Sequence, residues 1–228
     1  MLRSHKEILI RMMNRAANAL YYGDNLDVLR DSVASESVDL VYLDPPFNSQ
    51  ATYNVLFRSP AGAGSQAQIE VFDDTWHWGP EAENAVAQVM RSGNTNAADL
   101  LRAMRSFLGD NDLMAYLAMM AIRLIELHRV LKNTGSIYLH CDSSAGHYLK
   151  FLMDSIFGVK HFVNEISWKR TSAHSDSKQG STHFGRVHDL ILFYSKSTKF
   201  KWQPLWKPHN ASYIKSHYGN IDSDNRQF

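Results

Sequence analysis

Val38–Asn48 reads VDLVYLDPPFN, and this stretch decides the fold. Val38–Leu43 is mostly apolar, β-branched or aromatic, the pattern of a strand buried on both faces. It must stop at Pro45-Pro46, because neither proline can donate to a ladder. Asp44 then falls at the carboxyl end of the strand, where ligands bind in open parallel α/β sheets. An acid, two rigid residues and an aromatic suit a planar amine. The prolines fix the backbone, so the Asp44 carboxylate and a backbone carbonyl can converge on one –NH2 group, and Phe47 can stack on the ring that bears it. The alternative for the same residues is a proline-rich turn with an exposed acid.

Working outward, strands and helices alternate, which argues for a parallel α/β sheet. Ala19–Tyr22 is a short strand candidate that ends at Gly23-Asp24-Asn25. Leu26–Val33 follows as a helix, with Asp24 or Asn25 placed to cap it. Residues 59–111 read as a helical insertion or flap. Its start is small and flexible in composition and includes Gly62-Ala63-Gly64. Glu81–Met90 and Asn96–Leu108 are amphipathic helices around Ser92-Gly93-Asn94, with Pro80 at a first-turn position. Trp76 and Trp78 are expected to fold over the site as a lid; packing against helices is the other reading. Leu113–Lys132 is the strongest helix, with Leu113, Leu117, Met120, Leu124, Leu127 and Leu131 at helical spacing and Gly135 as its stop. Ser136–Cys141 is the next strand. A helix capped by Ser143 or Ser144 runs to Phe157 and stops at Gly158. Phe162–Lys169 and Val187–Tyr194 are strands joined by a long polar loop.

The chain has 228 residues, 44% of them hydrophobic, with 24 Lys+Arg against 23 Asp+Glu. That composition excludes wholesale disorder, and the balance excludes a polybasic, histone-like mode of nucleic-acid binding. Cys141 is the single cysteine, so no intrachain disulfide forms, which fits a reducing compartment. No stretch approaches the roughly eighteen apolar residues of a membrane span.

Five segments together resemble the S-adenosylmethionine-dependent amino-methyltransferases of DNA, in the permuted β-type group. They are Tyr22-Gly23-Asp24-Asn25-Leu26, Asp39–Asn48 (DLVYLDPPFN), Arg129–Asp142 (RVLKNTGSIYLHCD), Phe157-Gly158 with Asn164-Glu165-Ile166 and Trp168, and His188–Lys196 (HDLILFYSK). The resemblance runs from about Tyr21 to Ser197. It implies a Rossmann-like three-layer methyltransferase sheet, mostly parallel with an antiparallel strand pair, incomplete at the C-terminus and carrying the helical insertion. Residues 1–198 would form the catalytic domain and 199–228 the start of a target-recognition region.

The resemblance further implies base flipping in double-stranded DNA. Asp44 and the Pro45 carbonyl would hold the exocyclic amine, Pro46 would stiffen the turn, and Phe47 would stack on the base. An aspartate at the first motif position leans toward adenine N6; cytosine N4 is the alternative, as is a non-catalytic DNA-binding module. S-adenosylmethionine is the implied cofactor, with Asp24 and Asn25 as candidate contacts or simply a helix cap. A strand followed by a G-x-G loop is missing from this stretch, so the chain reads as the front of a longer enzyme, inactive by itself. A restriction subunit or a homodimer is a possible partner, and a bacterial or phage cytoplasmic setting follows from the family. His140, Cys141 and Asp142 offer no zinc-like spacing, so no metal is expected; Asp142 reads as a turn residue. Lys169, Arg170, Lys178 and Arg186 are candidate phosphate contacts.

Overall fold

The computed structural model describes residues 18–45, 52–55, 69–73, 76–142, 144–170, 187–206 and 209–226. Along the chain run α1 (Asn25–Ser32), β1 (Val38–Leu43), β2 (Thr52–Val55), β3 (Ile69–Asp73), α2 (Pro80–Arg91) and α3 (Thr95–Leu108). These are followed by α4 (Asp112–Val130), β4 (Leu131–Cys141), α5 (Gly146–Phe157), a 3-10 turn (Val159–His161), β5 (Phe162–Lys169), β6 (His188–Ser195) and α6 (Ala211–His217).

The main sheet has the order β1-β4-β6-β5, and β2 and β3 form a separate antiparallel pair. β1 and β4 are parallel, with Leu40 opposite Ser136 and Leu43 opposite Leu139. A parallel pair requires a crossover, and the helices α2, α3 and α4 supply it. β6 runs antiparallel to β4 and to β5. The fold is therefore α/β with a mixed sheet. Within this main sheet, two pairings are antiparallel and one is parallel.

α4 is the centre of the helical layer. Met114, Leu117, Ala118, Ala121 and Leu124 are fully buried, because nearly its whole circumference is apolar and is covered by α1, α2, α3 and α5. The starts of α1 to α4 are specified locally. Asp24 accepts from the Leu26 N–H at 2.8 Å, Asn94 from Ala97 at 3.0 Å and Asn111 from Met114 at 2.9 Å. Pro80 opens α2 as expected.

The sheet packs one face on those helices. Ile137, Leu139, Cys141, Leu192 and Tyr194 join the helical core, with Val41, Leu43 and Leu190 against it. The other face carries Leu40 and Tyr42, 57% and 56% exposed. β1 is thus half-buried and not buried on both faces, because no helix among the described residues covers its second face. Phe200 and Trp202 lie there instead, edge-on and stacked against Phe193 at 5.8 and 6.2 Å.

Three local expectations change. Residues 19–22 form no strand; Leu20 is 99% exposed and no described strand pairs with them. The long helix ends at Val130, because Leu131 turns extended and pairs with Val38 at the start of β4. Gly135 is therefore inside a strand and not a helix stop. A β-carbon there would lie 2.8 Å from Leu131 Cδ2 and 2.9 Å from the Lys132 carbonyl, so close packing is what demands glycine. The helix before Phe157 begins at Gly146 without a side-chain cap; Ser144 does not cap it, and Ser143 lies outside the described residues.

Candidate active site

Asp44 directly follows β1, and its side chain is 59% exposed. Pro45 behind it is buried, which gives the turn a fixed base. Pro46 and Phe47 lie outside the described residues, as do Gly62-Ala63-Gly64, Lys178 and Arg186.

The parallel register sets Leu43 beside Leu139, so the next residues, Asp44 and His140, become neighbours on the open face of the sheet. His140 Nδ1 lies 3.0 Å from Asp44 Oδ1. On the other side of β4, the antiparallel register sets His140 opposite Ile191. Asp189, two residues earlier on β6, projects to the same face, because strand side chains alternate. Its Oδ2 lies 3.2 Å from His140 Nε2. Arg170, just past β5, closes the row. Its Nε is 3.3 Å from Asp189 Oδ2, and a terminal nitrogen donates to Asp189 Oδ1 at 3.3 Å. The row Asp44–His140–Asp189–Arg170 draws on all four strands of the main sheet.

Exposure falls from Asp44 to Asp189 and rises again at Arg170, which is 51% exposed. The His140 side chain is 15% exposed and Asp189 only 6%. A buried carboxylate needs charged or hydrogen-bonding partners, and Asp189 has both in His140 and Arg170. Tyr138 and Phe193 stack at 4.4 Å beside the row, on the same face. A mobile planar group would find there a carboxylate, aromatic surface and an open side. Among the described residues, no group of His, Cys, Asp and Glu is arranged to hold a metal ion.

Asp24 and Asn25 lie elsewhere, against α4. Arg123 donates to both oxygens of Asp24 at 2.8 and 2.9 Å, and to Asn25 Oδ1 at 2.8 Å. Their polar atoms thus tie α1 to α4. Cys141 faces the helical core, and burial, reinforced by Asp142, Glu165 and Asp189, pushes its thiol up to about 12. Asp142 accepts from the Ser144 and Ala145 N–H groups at 3.0 and 3.3 Å, a turn role as expected. Trp76 and Trp78 do not form a lid. Both pack against the helical core, Trp76 near Tyr116 and Trp78 under the Arg105 guanidinium at 4.4 Å.

Sequence reasoning missed His140 and Asp189 as a pair. One signal was present: Asp189 is a lone acid at the head of an otherwise apolar strand (DLILFY). The partner was hidden because 49 residues separate it from His140.

A family model described as DNA methylase matches residues 38–227, most of the chain. The chain belongs to this N6/N4 DNA methylase family. The chain is 37% identical over 208 residues to the Type II methyltransferase M.EcaI of Enterobacter cloacae, covering 90% of this chain and 35% of that protein. It is 30% identical over 205 residues to the StyLTI Mod subunit of a Type III restriction-modification enzyme from Salmonella typhimurium, covering 88% and 27%. The Type III EcoP15I Mod subunit of Escherichia coli is 26% identical over 211 residues, covering 90% and 28%. The chain therefore spans about a third of the length of these relatives. Among its described residues, no helix is long and apolar enough to cross a membrane.

Proposed function

We propose that this chain carries the amine-binding part of a DNA methyltransferase that acts on the N6 amine of adenine. The observation that carries the reading is the placement of Asp44: an exposed carboxylate at the carboxyl end of β1, on a buried proline, with one oxygen held by His140. Among the described residues its second oxygen has no partner. That oxygen is available to an N–H donor, and the Pro45 carbonyl is the natural second acceptor. Two acceptors in fixed positions orient an –NH2 group and its lone pair, and such orientation is a large part of the gain in a single displacement. The amine sheds a proton when it is alkylated, and Asp44 is the base within reach.

An adenine amine is accessible to such a site only when the base leaves the duplex, so base flipping is part of the reading, with Phe47 as the stacking surface. S-adenosylmethionine is the family's implied methyl source. Asp24 and Asn25 are its proposed contacts: Arg123 ties both to α4, and Asp24 lines a cavity between α1, α2 and α4. Double-stranded DNA is the proposed substrate. The likeness to Mod subunits makes a restriction subunit the partner to look for, and a homodimer the other arrangement. Lys169 and Arg170 flank the row, and Arg170 is committed to Asp189, which leaves Lys169 as the proposed phosphate contact.

The test is Asp44→Ala in the full-length protein, with nucleoside mass spectrometry of the methylated DNA. Loss of N6-methyladenine supports the reading. Unchanged methylation overturns it, and N4-methylcytosine as the product would move the same chemistry to cytosine.

A further inference from the structure

We infer that His140 is a positioning residue for Asp44, anchored from behind by Asp189 and Arg170. The inference rests on the reading of Asp44 as the acceptor for the substrate amine. Asp44 stands just past the end of β1, and its side chain is more than half exposed. His140 is the opposite case: it sits on β4, flanked by β1 and β6, and its side chain is 15% exposed. The contact therefore joins a solvent-exposed acid to a rigid strand.

Asp189 explains why a histidine stands there. The imidazole lies between two carboxylates, 3.0 Å from Asp44 through Nδ1 and 3.2 Å from Asp189 through Nε2. A neutral ring has one N–H and can satisfy one of them; the imidazolium has two and satisfies both. Arg170 offsets the second negative charge at 3.3 Å. Among the described residues, Asp44 after β1 and Asp189 on β6 face the ring, with Arg170 behind Asp189. Asp189 anchors the ring through Nε2, and the ring places Nδ1 beside Oδ1 of the exposed Asp44 carboxylate. A second-layer group of this kind typically changes activity by about 10- to 100-fold.

The experiment compares His140→Ala, His140→Asn, His140→Gln and Asp189→Asn with the parent, all in the full-length protein. Thermal melting selects variants that remain folded, and methyl transfer to DNA is followed at steady state. Asparagine places its amide near the position of Nδ1 and can still reach Asp44. Glutamine places its amide nearer Nε2 and reaches Asp189. The expected result is a kcat about 10- to 100-fold lower for His140→Ala, with KM for DNA nearly unchanged. His140→Asn should recover more of kcat than His140→Gln, and Asp189→Asn should lower kcat in the same direction. An unchanged kcat in folded His140→Ala overturns the inference. So does His140→Asn that is no better than His140→Ala at equal thermal stability. Asp44→Ala, run alongside, separates the two levels. If it inactivates while His140→Ala does not, only the positioning role fails; if it has no effect, the reading of the site itself fails.

Discussion

Arg123 and Asp24 are 99 residues apart in the chain, yet one guanidinium nitrogen lies 2.8 and 2.9 Å from the two oxygens of the carboxylate. The same arginine donates to Asn25 and to the Met119 carbonyl, and its side chain is only 12% exposed. It is the clamp between α1 and α4. Arg129 does similar work nearer the end of the same helix, donating to the Leu29 and Val33 carbonyls.

Removal of that clamp should be felt in stability. Arg123→Ala is expected to lower stability by about 1–3 kcal/mol, since several charge-assisted hydrogen bonds are lost and Asp24 keeps only its cap. Thermal denaturation measures this, and hydrogen exchange should show the loss concentrated in α1. A melting temperature equal to the parent's would mean that α1 is held by Leu26 and its apolar neighbours alone.

Gly135→Ala should destabilise the protein by about 1–3 kcal/mol through overpacking. The new β-carbon would meet the Lys132 carbonyl at 2.9 Å, and backbone cannot swing aside as a side chain can. Denaturant unfolding reads the change. A neutral result would show that the β4 bulge opposite Val38 relaxes freely.

The Cys141 thiol, raised from its usual 9.0 to about 12 by burial, should resist alkylation in the native protein and react promptly once unfolded. The sign for stability follows from proton binding. The folded state holds its thiol proton more tightly, so this contribution is complete below about 9 and is lost as pH rises toward about 12. Rapid labelling by a thiol reagent at pH 8 without denaturant would contradict the burial.

Asp39 is held down at about 2, first by Lys132 and then by Lys201. Lys132 lies 2.6 Å from one oxygen and Lys201 2.7 Å from the other, which links the segment after β6 back to β1. A depressed carboxylate contributes at pH above its usual 3.8 and loses that contribution as pH falls through about 2. Carbon-detected NMR titration should place the Asp39 midpoint near 2, and Lys132→Met should raise it toward the ordinary carboxylate range. An unmoved midpoint in that variant would assign the shift to Lys201.

Much of the fold was readable along the chain because its signals are local. Amphipathic spacing locates α3 and α4, with Pro80 doing the same for α2, and runs rich in apolar and aromatic residues mark β1, β5 and β6. Asp44 was also readable, since a strand that runs into two prolines must end at that acid. The exposed face of β1 was not, because alternation of burial depends on what covers a strand and not on its own hydrophobicity. The aromatics Trp76 and Trp78 look the same in sequence whether they close a site or fill a core; only the approach of Tyr116 and Arg105 distinguishes the two.

The sequence by itself determined most element types, the starts of α1 to α4 and the position of the acid at the end of a strand, all of which follow from torsional preference, capping and hydrophobic period within a few residues. Only the tertiary structure decided that Asp44, His140, Asp189 and Arg170 form one row. Each stands at or beside the end of a different strand, and their meeting depends on one parallel and two antiparallel registers. Register is a property of pairing between distant segments, and a slip of one residue would turn His140 into the helical core and Cys141 out toward Asp44.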